Sequence, residues 1–280
     1  MKLDINTTVT LANGVRMPML GFGTYKIVDE AEVERSVLAA LQVGYRSIDT
    51  ASMYENEEAI GRALAQSGLP RGDVFIATKV WNDEQGEQGV VHALERSLRR
   101  LALDHVDLYL VHWPIPHLYE STWRGMERVL SEGMTRAIGV CNFLVHHLEA
   151  LHEATGGLPA VDQVEHHPWL QQPDLEAYCL KHGIVLEAWA PIMRGRLNEV
   201  PQLAEIAARH SVTSAQVALR WALQRGVVVI PKSTHADRIR ENADLFGFEL
   251  SAAEIATIDG VDRGEAGRLG PHPDTFASGG

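Results

Sequence analysis

Residues 74–112 read Val74-Phe75-Ile76-Ala77-Thr78-Lys79, then an amphipathic stretch from Val90 to Leu101, then Val106-Asp107-Leu108-Tyr109-Leu110-Val111-His112. Two apolar runs too short for helices flank a segment of helical periodicity. That is the pattern of a strand, a crossover helix and a second, parallel strand. Working outward, the same unit recurs almost from end to end. Strands are expected at 19–23, 47–49, 74–79, 106–112, 137–141, 160–165, 184–189 and 227–231. Helices are expected near 29–42, 57–66, 90–101, 122–132, 145–154, 174–182, 202–210, 214–224 and 237–244. Eight similar units with no Pro/Ser-rich linker predict a single domain over residues 1–280. They favour an α/β fold closed into a (β/α)8 TIM barrel over an open doubly wound sheet. Asn13-Gly14 inside the run from Val9 to Met17 predicts an N-terminal β-hairpin ahead of the barrel. Residues 260–280, rich in Gly and Pro, read as a C-terminal loop over the barrel mouth, with a disordered end as the alternative.

The composition narrows the function classes. The 280 residues carry a formal net charge of −12, which argues against nucleic-acid or anionic-membrane partners and points to a small-molecule substrate. Two cysteines, Cys141 and Cys179, form no disulfide framework and fit a reducing cytoplasm. The first eight residues contain no apolar stretch long enough for a signal peptide, and no run approaches a membrane span.

Polar residues gather where the expected strands end. Asp49 ends the second strand, Lys79 the third and His112 the fourth, while Tyr54 follows in the loop after the second. Strand ends are the face on which barrel enzymes assemble their sites. Alternation puts Phe75, Ala77 and Lys79 on one side and Leu108, Leu110 and His112 on the corresponding side of the next strand. If those sides line the interior, Lys79 and His112 point inward at the top of the barrel. A buried Lys needs an anion, and Asp49 is placed to supply one. A phenol beside that ammonium has its anion stabilised. Unit charges about 4 Å apart at an effective dielectric of about 20 attract by roughly 4 kcal/mol, a ceiling of about three pK units. A neutral His112 can hydrogen-bond a carbonyl oxygen and aim it at the phenol. The expected chemistry is protonation of a carbonyl oxygen, with the electrons coming from elsewhere. Taken singly, a loop Tyr, a lone His and an Asp–Lys pair are ordinary packing and pairing. Together, at consecutive strand ends, they are hard to account for by packing.

These residues sit in blocks that resemble the aldo-keto reductase family. Gly44-Tyr45-Arg46-Ser47-Ile48-Asp49-Thr50-Ala51-Ser52-Met53-Tyr54-Glu55-Asn56-Glu57 is similar to the family's strand-two signature. Leu101-Ala102-Leu103-Asp104-His105-Val106-Asp107-Leu108-Tyr109-Leu110-Val111-His112-Trp113-Pro114 resembles its strand-four block. Ile230-Pro231-Lys232-Ser233 with Arg238-Ile239 and Glu241-Asn242 resembles its cofactor block. Lys79-Val80-Trp81-Asn82-Asp83 and the short tail are similar to the bacterial branch that includes 2,5-diketo-D-gluconate reductases. The resemblance implies a monomeric barrel oxidoreductase that uses NADPH, with NADH as the weaker alternative, to reduce an aldehyde or ketone to an alcohol. It implies Tyr54 as proton donor, Lys79 and Asp49 tuning it, and His112 orienting the substrate. Asn142 and Gln163 would hold the nicotinamide carboxamide beside Cys141, and Trp189 would stack on the ring. Lys232, Ser233, Thr234 and Arg238, within the block that also holds Glu241 and Asn242, would cradle the 2′-phosphate at a helix start. Aromatic walls from Phe22, Tyr25, Trp81 and Trp113 are expected to complete the substrate pocket. Three departures stand out: Cys141 where relatives usually carry Ser, His235 where bacterial relatives often carry Arg, and Asp162 in place of a usual Asn.

Two other readings compete. One is a metal-dependent barrel hydrolase using His112, Glu165, His166 and His167, although adjacent His166 and His167 point oppositely on a strand and poorly serve one ion. The favoured reading calls for no metal. The other is a barrel that binds or senses the cofactor with little turnover. No Gly-x-Gly-x-x-Gly joins a strand to a helix, since Gly21-Phe22-Gly23 is followed by Thr24-Tyr25-Lys26, so a Rossmann site is unsupported.

Overall fold

Eight parallel strands pair in chain order: β3 (Phe22–Gly23), β4 (Ser47–Asp49), β5 (Phe75–Val80), β6 (Leu108–Val111), β7 (Ile138–Cys141), β8 (Val161–Glu165), β9 (Val185–Trp189) and β10 (Val228–Val229). Ahead of them β1 (Thr8–Thr10) and β2 (Arg16–Pro18) form the antiparallel hairpin. This computed structural model describes residues 3–276. Met1 and Lys2, from the N-terminal reading, and the last residues of the tail, 277–280, lie outside the described residues.

The sheet closes on itself. Gly21 N donates to Val229 O at 2.9 Å, Val229 N to Met19 O at 3.0 Å and Gly23 N to Pro231 O at 3.2 Å. The (β/α)8 barrel is therefore complete. Its first and last strands are shorter than the expected 19–23 and 227–231 because the seam is made of scattered bonds, and Pro231 offers a carbonyl but no N–H.

The outer layer is α1 (Glu30–Val43), α2 (Glu57–Ser67), α3 (Glu87–Leu101), α4 (Tyr119–Ser131), α5 (Val145–Thr155), α6 (Pro173–His182), α7 (Pro201–His210), α8 (Ser214–Gln224) and α9 (Ala236–Ala243). Local chemistry fixes several starts. The Asp29 side chain accepts from Glu32 N before α1, and Thr213 and Gln216 cap one another reciprocally before α8. A tenth helix, α10 (Ala252–Asp259), escapes the periodicity because its face is weakly divided. Its signal is the Ser251-x-x-Glu254 capping box, with the Ser251 side chain accepting from Glu254 N. A short α11 (Pro273–Phe276) ends the described tail.

Alternation along the strands separates two cores, as expected. Phe75, Ala77, Leu108, Leu110, Cys141, Val161 and Val228 fill the bore. Leu11 and Met17 of the hairpin join them and plug the barrel floor. Ile76, Val80, Tyr109, Val111 and Val140 face the helices in a larger outer core. Among the described residues, floor and bore are thus packed shut, and the end where the strands finish is open to a ligand.

Candidate active site

A cavity of about 590 Å³ occupies that end. Of the residues singled out in the sequence, Tyr25, Asp49, Tyr54, Trp81, His112, Trp113, Asn142, Gln163, Trp189, Lys232 and Arg238 line it. At its base Lys79, fully buried at the end of β5, donates from Nζ to Asp49 Oδ1 at 2.6 Å and to Thr50 O at 2.7 Å. Tyr54 ends a 3₁₀ turn (Ser52–Tyr54) just after β4, with Lys79 Nζ 5.2 Å from its ring centre. His112 meets the Tyr54 ring edge-on at 5.8 Å and the Trp81 ring at 5.0 Å. Three consecutive strand ends bring together one acid, one cation, one imidazole and one phenol.

The electrostatics differ from the sequence expectation in one respect. Burial pushes the Tyr54 phenol up from its ordinary value, and the opposing pull of Lys79 does not overcome it. Lys79 still favours the phenolate, but burial outweighs it and the Asp49 carboxylate paired with Lys79 offsets part of its pull. The phenol is therefore held protonated at neutral pH, the state a proton donor requires. Burial, reinforced by Lys79, holds His112 well below the ordinary histidine value, so its ring is neutral as expected.

A second layer links the base of the site across the bore. Gln163 Nε2 donates to Asp49 Oδ2 and to Glu187 Oε2, both at 2.8 Å. Its Oε1 meets the Cys141 thiol at 3.8 Å, the weak contact that a Ser-to-Cys departure leaves. Asn142, in left-handed backbone at φ 62°, donates to His112 O at 2.9 Å and accepts from Trp189 Nε1 at 2.8 Å. It thereby ties the indole of β9 to the strand that carries His112. Asp162 is fully buried, and burial pushes its carboxyl well above the usual carboxylate range.

Several expected residues lie elsewhere. Phe22 is corrected: it is 1 % exposed and packs edge-on against Tyr45 in the outer core, because strand alternation turns Gly23, not Phe22, toward the cavity. Ser233 accepts from His235 N just before α9, and Glu241 accepts from Thr213 Oγ1. Ser233, Thr234, Glu241 and Asn242 do not line the cavity, nor does buried Cys141. The hydrolase set is not brought together. His166 stacks on Trp221 of α8 at 5.3 Å, whereas His167 Nε2 pairs with Glu165 Oε1 at 2.9 Å. Sequence reasoning missed Lys26, Met53, Arg194, Pro271 and Phe276 in the lining, and Glu187 beneath it. Only Glu187 carried a signal: it is the one charged residue of an apolar strand and shares the inward parity of Trp189.

Comparison with known proteins places this geometry among its kin. The aldo/keto reductase family model matches residues 19–263. The chain is 49 % identical to glyoxal reductase of Bacillus subtilis (strain 168), over 98 % of this chain and 99 % of that protein. It is 44 % identical to methylglyoxal reductase DkgA of Salmonella typhimurium, over 96 % and 98 % respectively. Among solved structures it superposes on an aldo-keto reductase enzyme from a Medee basin deep-sea metagenome library with a TM-score of 0.92 at 42 % identity, covering 96 % of this chain and 99 % of that one. A Bombyx mori aldo-keto reductase in complex with NADP superposes with a TM-score of 0.87 at 34 % identity, covering 93 % and 94 %. With a match spanning nearly the whole barrel and its strand-end site, the chain belongs to the aldo/keto reductase family.

Proposed function

We propose that this protein is an NADPH-dependent reductase of small aldehydes and ketones in which Tyr54 is the proton donor. The observation that carries the reading is the Tyr54 phenol in the cavity, with Lys79 Nζ 5.2 Å from its ring centre, Asp49 paired to that ammonium and His112 edge-on at 5.8 Å. Bound NADPH supplies hydride to the carbonyl carbon. Tyr54 passes its hydroxyl proton to the carbonyl oxygen, and Lys79 stabilises the phenolate left behind. The Asp49 carboxylate and Thr50 carbonyl fix the Lys79 ammonium, so the partner of that phenolate is in place before the reaction starts. Neutral His112 offers one N–H to the carbonyl oxygen and orients it toward the phenol.

The cavity suits the cofactor. Lys232 and Arg238 line it, two cations that can meet the 2′-phosphate. They are cations on the cavity wall of a chain whose net charge is −12. Trp189 is half-buried with its indole fixed by Asn142, a platform for the nicotinamide ring. Gln163 Oε1 has only a thiol for a neighbour and can accept from the carboxamide. The walls from Tyr25, Trp81, Trp113 and Phe276 favour small apolar or dicarbonyl substrates such as glyoxal and methylglyoxal, the compounds for which two relatives are named. We further place the enzyme in the cytoplasm as a monomer. The reading rests on two buried cysteines that are both free, as a reducing compartment allows, and on the resemblance to monomeric relatives.

Replacing Tyr54 by Phe tests the assignment. NADPH oxidation with methylglyoxal is expected to fall by about a hundredfold or more, while NADPH affinity, read from quenching of tryptophan emission, stays close to wild type. Retained turnover removes Tyr54 from its role. Cofactor binding by the wild type without turnover of any carbonyl would favour the binding-barrel reading instead.

A further inference from the structure

Glu165, His166 and His167 form a charged motif at the end of β8 that the reduction chemistry leaves unused. Glu165 is 0 % exposed, and a carboxylate buried that deeply must be met by donors. Three arrive. Leu269 N donates to Glu165 Oε1 at 2.6 Å, Gly270 N to Oε2 at 2.9 Å, and His167 Nε2 to Oε1 at 2.9 Å. Arg268 Nη1 lies 3.9 Å from Oε2. Two of the donors are backbone amides of the C-terminal tail, more than a hundred residues away in sequence. The barrel strand therefore grips the tail through its main chain, independently of the tail's side chains at those positions.

That grip lies directly beside the site. Glu165 is paired in register with Trp189, and a Cβ added at Gly270 would stand 2.5 Å from Trp189 Cη2 and 2.9 Å from Glu165 Oε2. Glycine is thus the residue that lets the tail press against the indole edge while its amide reaches the carboxylate. From this anchor the chain crosses the mouth. Pro271 lines the cavity, Asp274 Oδ1 meets His146 Nε2 at 2.9 Å and His147 Nε2 at 3.0 Å, and the Phe276 ring packs against Trp113 at 4.2 Å, tilted by 40°. His147 Nδ1 accepts from Leu144 N, so its Nε2 carries the proton that Asp274 accepts. The His146–His147–Asp274 cluster is a second tether and a poor metal site, since a metal at Nε2 would displace that proton. The tail is a strap held at two points, with cavity-lining residues between and just beyond them.

We infer that Glu165 is a positioning residue for the carbonyl: by clamping the Leu269 and Gly270 amides it holds Pro271 and Phe276 as the outer wall of the substrate pocket. The inference rests on the reductase reading for its kinetic arm, and on the clamp geometry alone for its structural arm.

The experiment uses the full chain with two single variants and their combination. Glu165→Gln replaces one acceptor oxygen by a donor that faces the tail amides. Leu269→Pro deletes the 2.6 Å donor and leaves the carboxylate in place; Arg268, at ψ 131°, already has the extended backbone that precedes proline. Each single variant is expected to speed amide exchange in residues 270–276 by about a hundredfold. Each is also expected to raise the KM for methylglyoxal by about tenfold, with kcat and the KM for NADPH within about twofold of wild type. Because both act through one contact, the double variant matches the singles rather than multiplying them. Undiminished protection of the tail in both single variants overturns the inference. So do multiplicative effects in the double variant, or a loss that falls on NADPH as heavily as on the carbonyl. If the wild type turns over no carbonyl, the reductase reading fails, and the exchange measurement still decides whether Glu165 holds the tail. Should Glu165→Gln not fold, Leu269→Pro carries both arms.

Discussion

A carboxyl group 1 % exposed and sharing Gln163 with Asp49 cannot ionise freely, and Glu187 occupies that position. Burial first, and the Asp49 charge second, push it up to about 8. In the unfolded chain it titrates near its ordinary value of 4.5. A folded-state pKa above the unfolded one gives stability that is complete below the lower value and is lost as pH climbs to the higher. The protein therefore loses stability from about pH 4.5 to about pH 8 on account of this one group, and nothing more above it. Glu187→Gln, neutral at every pH and of the same shape, is expected to melt at the same temperature as wild type near pH 4.5. Its advantage should grow steadily as the pH rises through that window to about 8, and then level off. Melting curves by circular dichroism at four pH values check it; a constant offset across the range would contradict the shifted carboxyl. At this scale the sequence was legible where charge met a strand end. Asp49, Lys79 and His112 announced themselves because polar residues ending consecutive apolar runs have few packing explanations. Glu187 was missed although it shares the inward parity of Trp189, since a single carboxyl two residues before a strand end reads as easily solvated as buried. Phe22 misled for the opposite reason, because in a two-residue strand the parity that separates core from cavity has almost no sequence to express itself in.

Elements were legible in proportion to their periodicity. α3 and α4 have strongly divided faces and appear where expected, while α10 was not expected and the tail was read as a loop over the mouth or a disordered end. The tail's order comes from partners remote in sequence: Glu165 on β8, Trp113 after β6 and the two histidines that open α5. No local pattern encodes that. Helix packing holds another such feature. Gly61 lies within α2, where Gly→Ala normally stabilises a helix by about 1 kcal/mol. Here a Cβ would stand 2.5 Å from the Leu101 carbonyl oxygen at the end of α3. That oxygen is backbone and cannot swing aside, so the overlap should dominate and cost about 1–3 kcal/mol. Urea unfolding of Gly61→Ala is the check, and a midpoint above wild type would show that α2 and α3 can separate cheaply.

At the scale of the whole molecule the barrel separates stability from chemistry along its axis. β5 begins at Phe75 in the floor and reaches Lys79 at the site, four residues or about 13 Å further on. The hairpin adds nothing to the mouth; it supplies Leu11 and Met17, 2 % and 0 % exposed, as the plug beneath the bore. Because the interior is close-packed and the catalytic layer is held by its own ion pair and hydrogen bonds, a defect in the floor has no polar path to the phenol. Leu11→Ala is therefore expected to cost about 2–5 kcal/mol of stability through the cavity it leaves. At temperatures where the variant stays folded, its kcat and carbonyl KM should remain within about twofold of wild type. Denaturant midpoints paired with NADPH oxidation rates on the same samples separate the two quantities. If turnover instead falls in step with stability while the protein is still folded, floor and mouth are one cooperative unit, and the axial division of labour drawn from the packing is wrong.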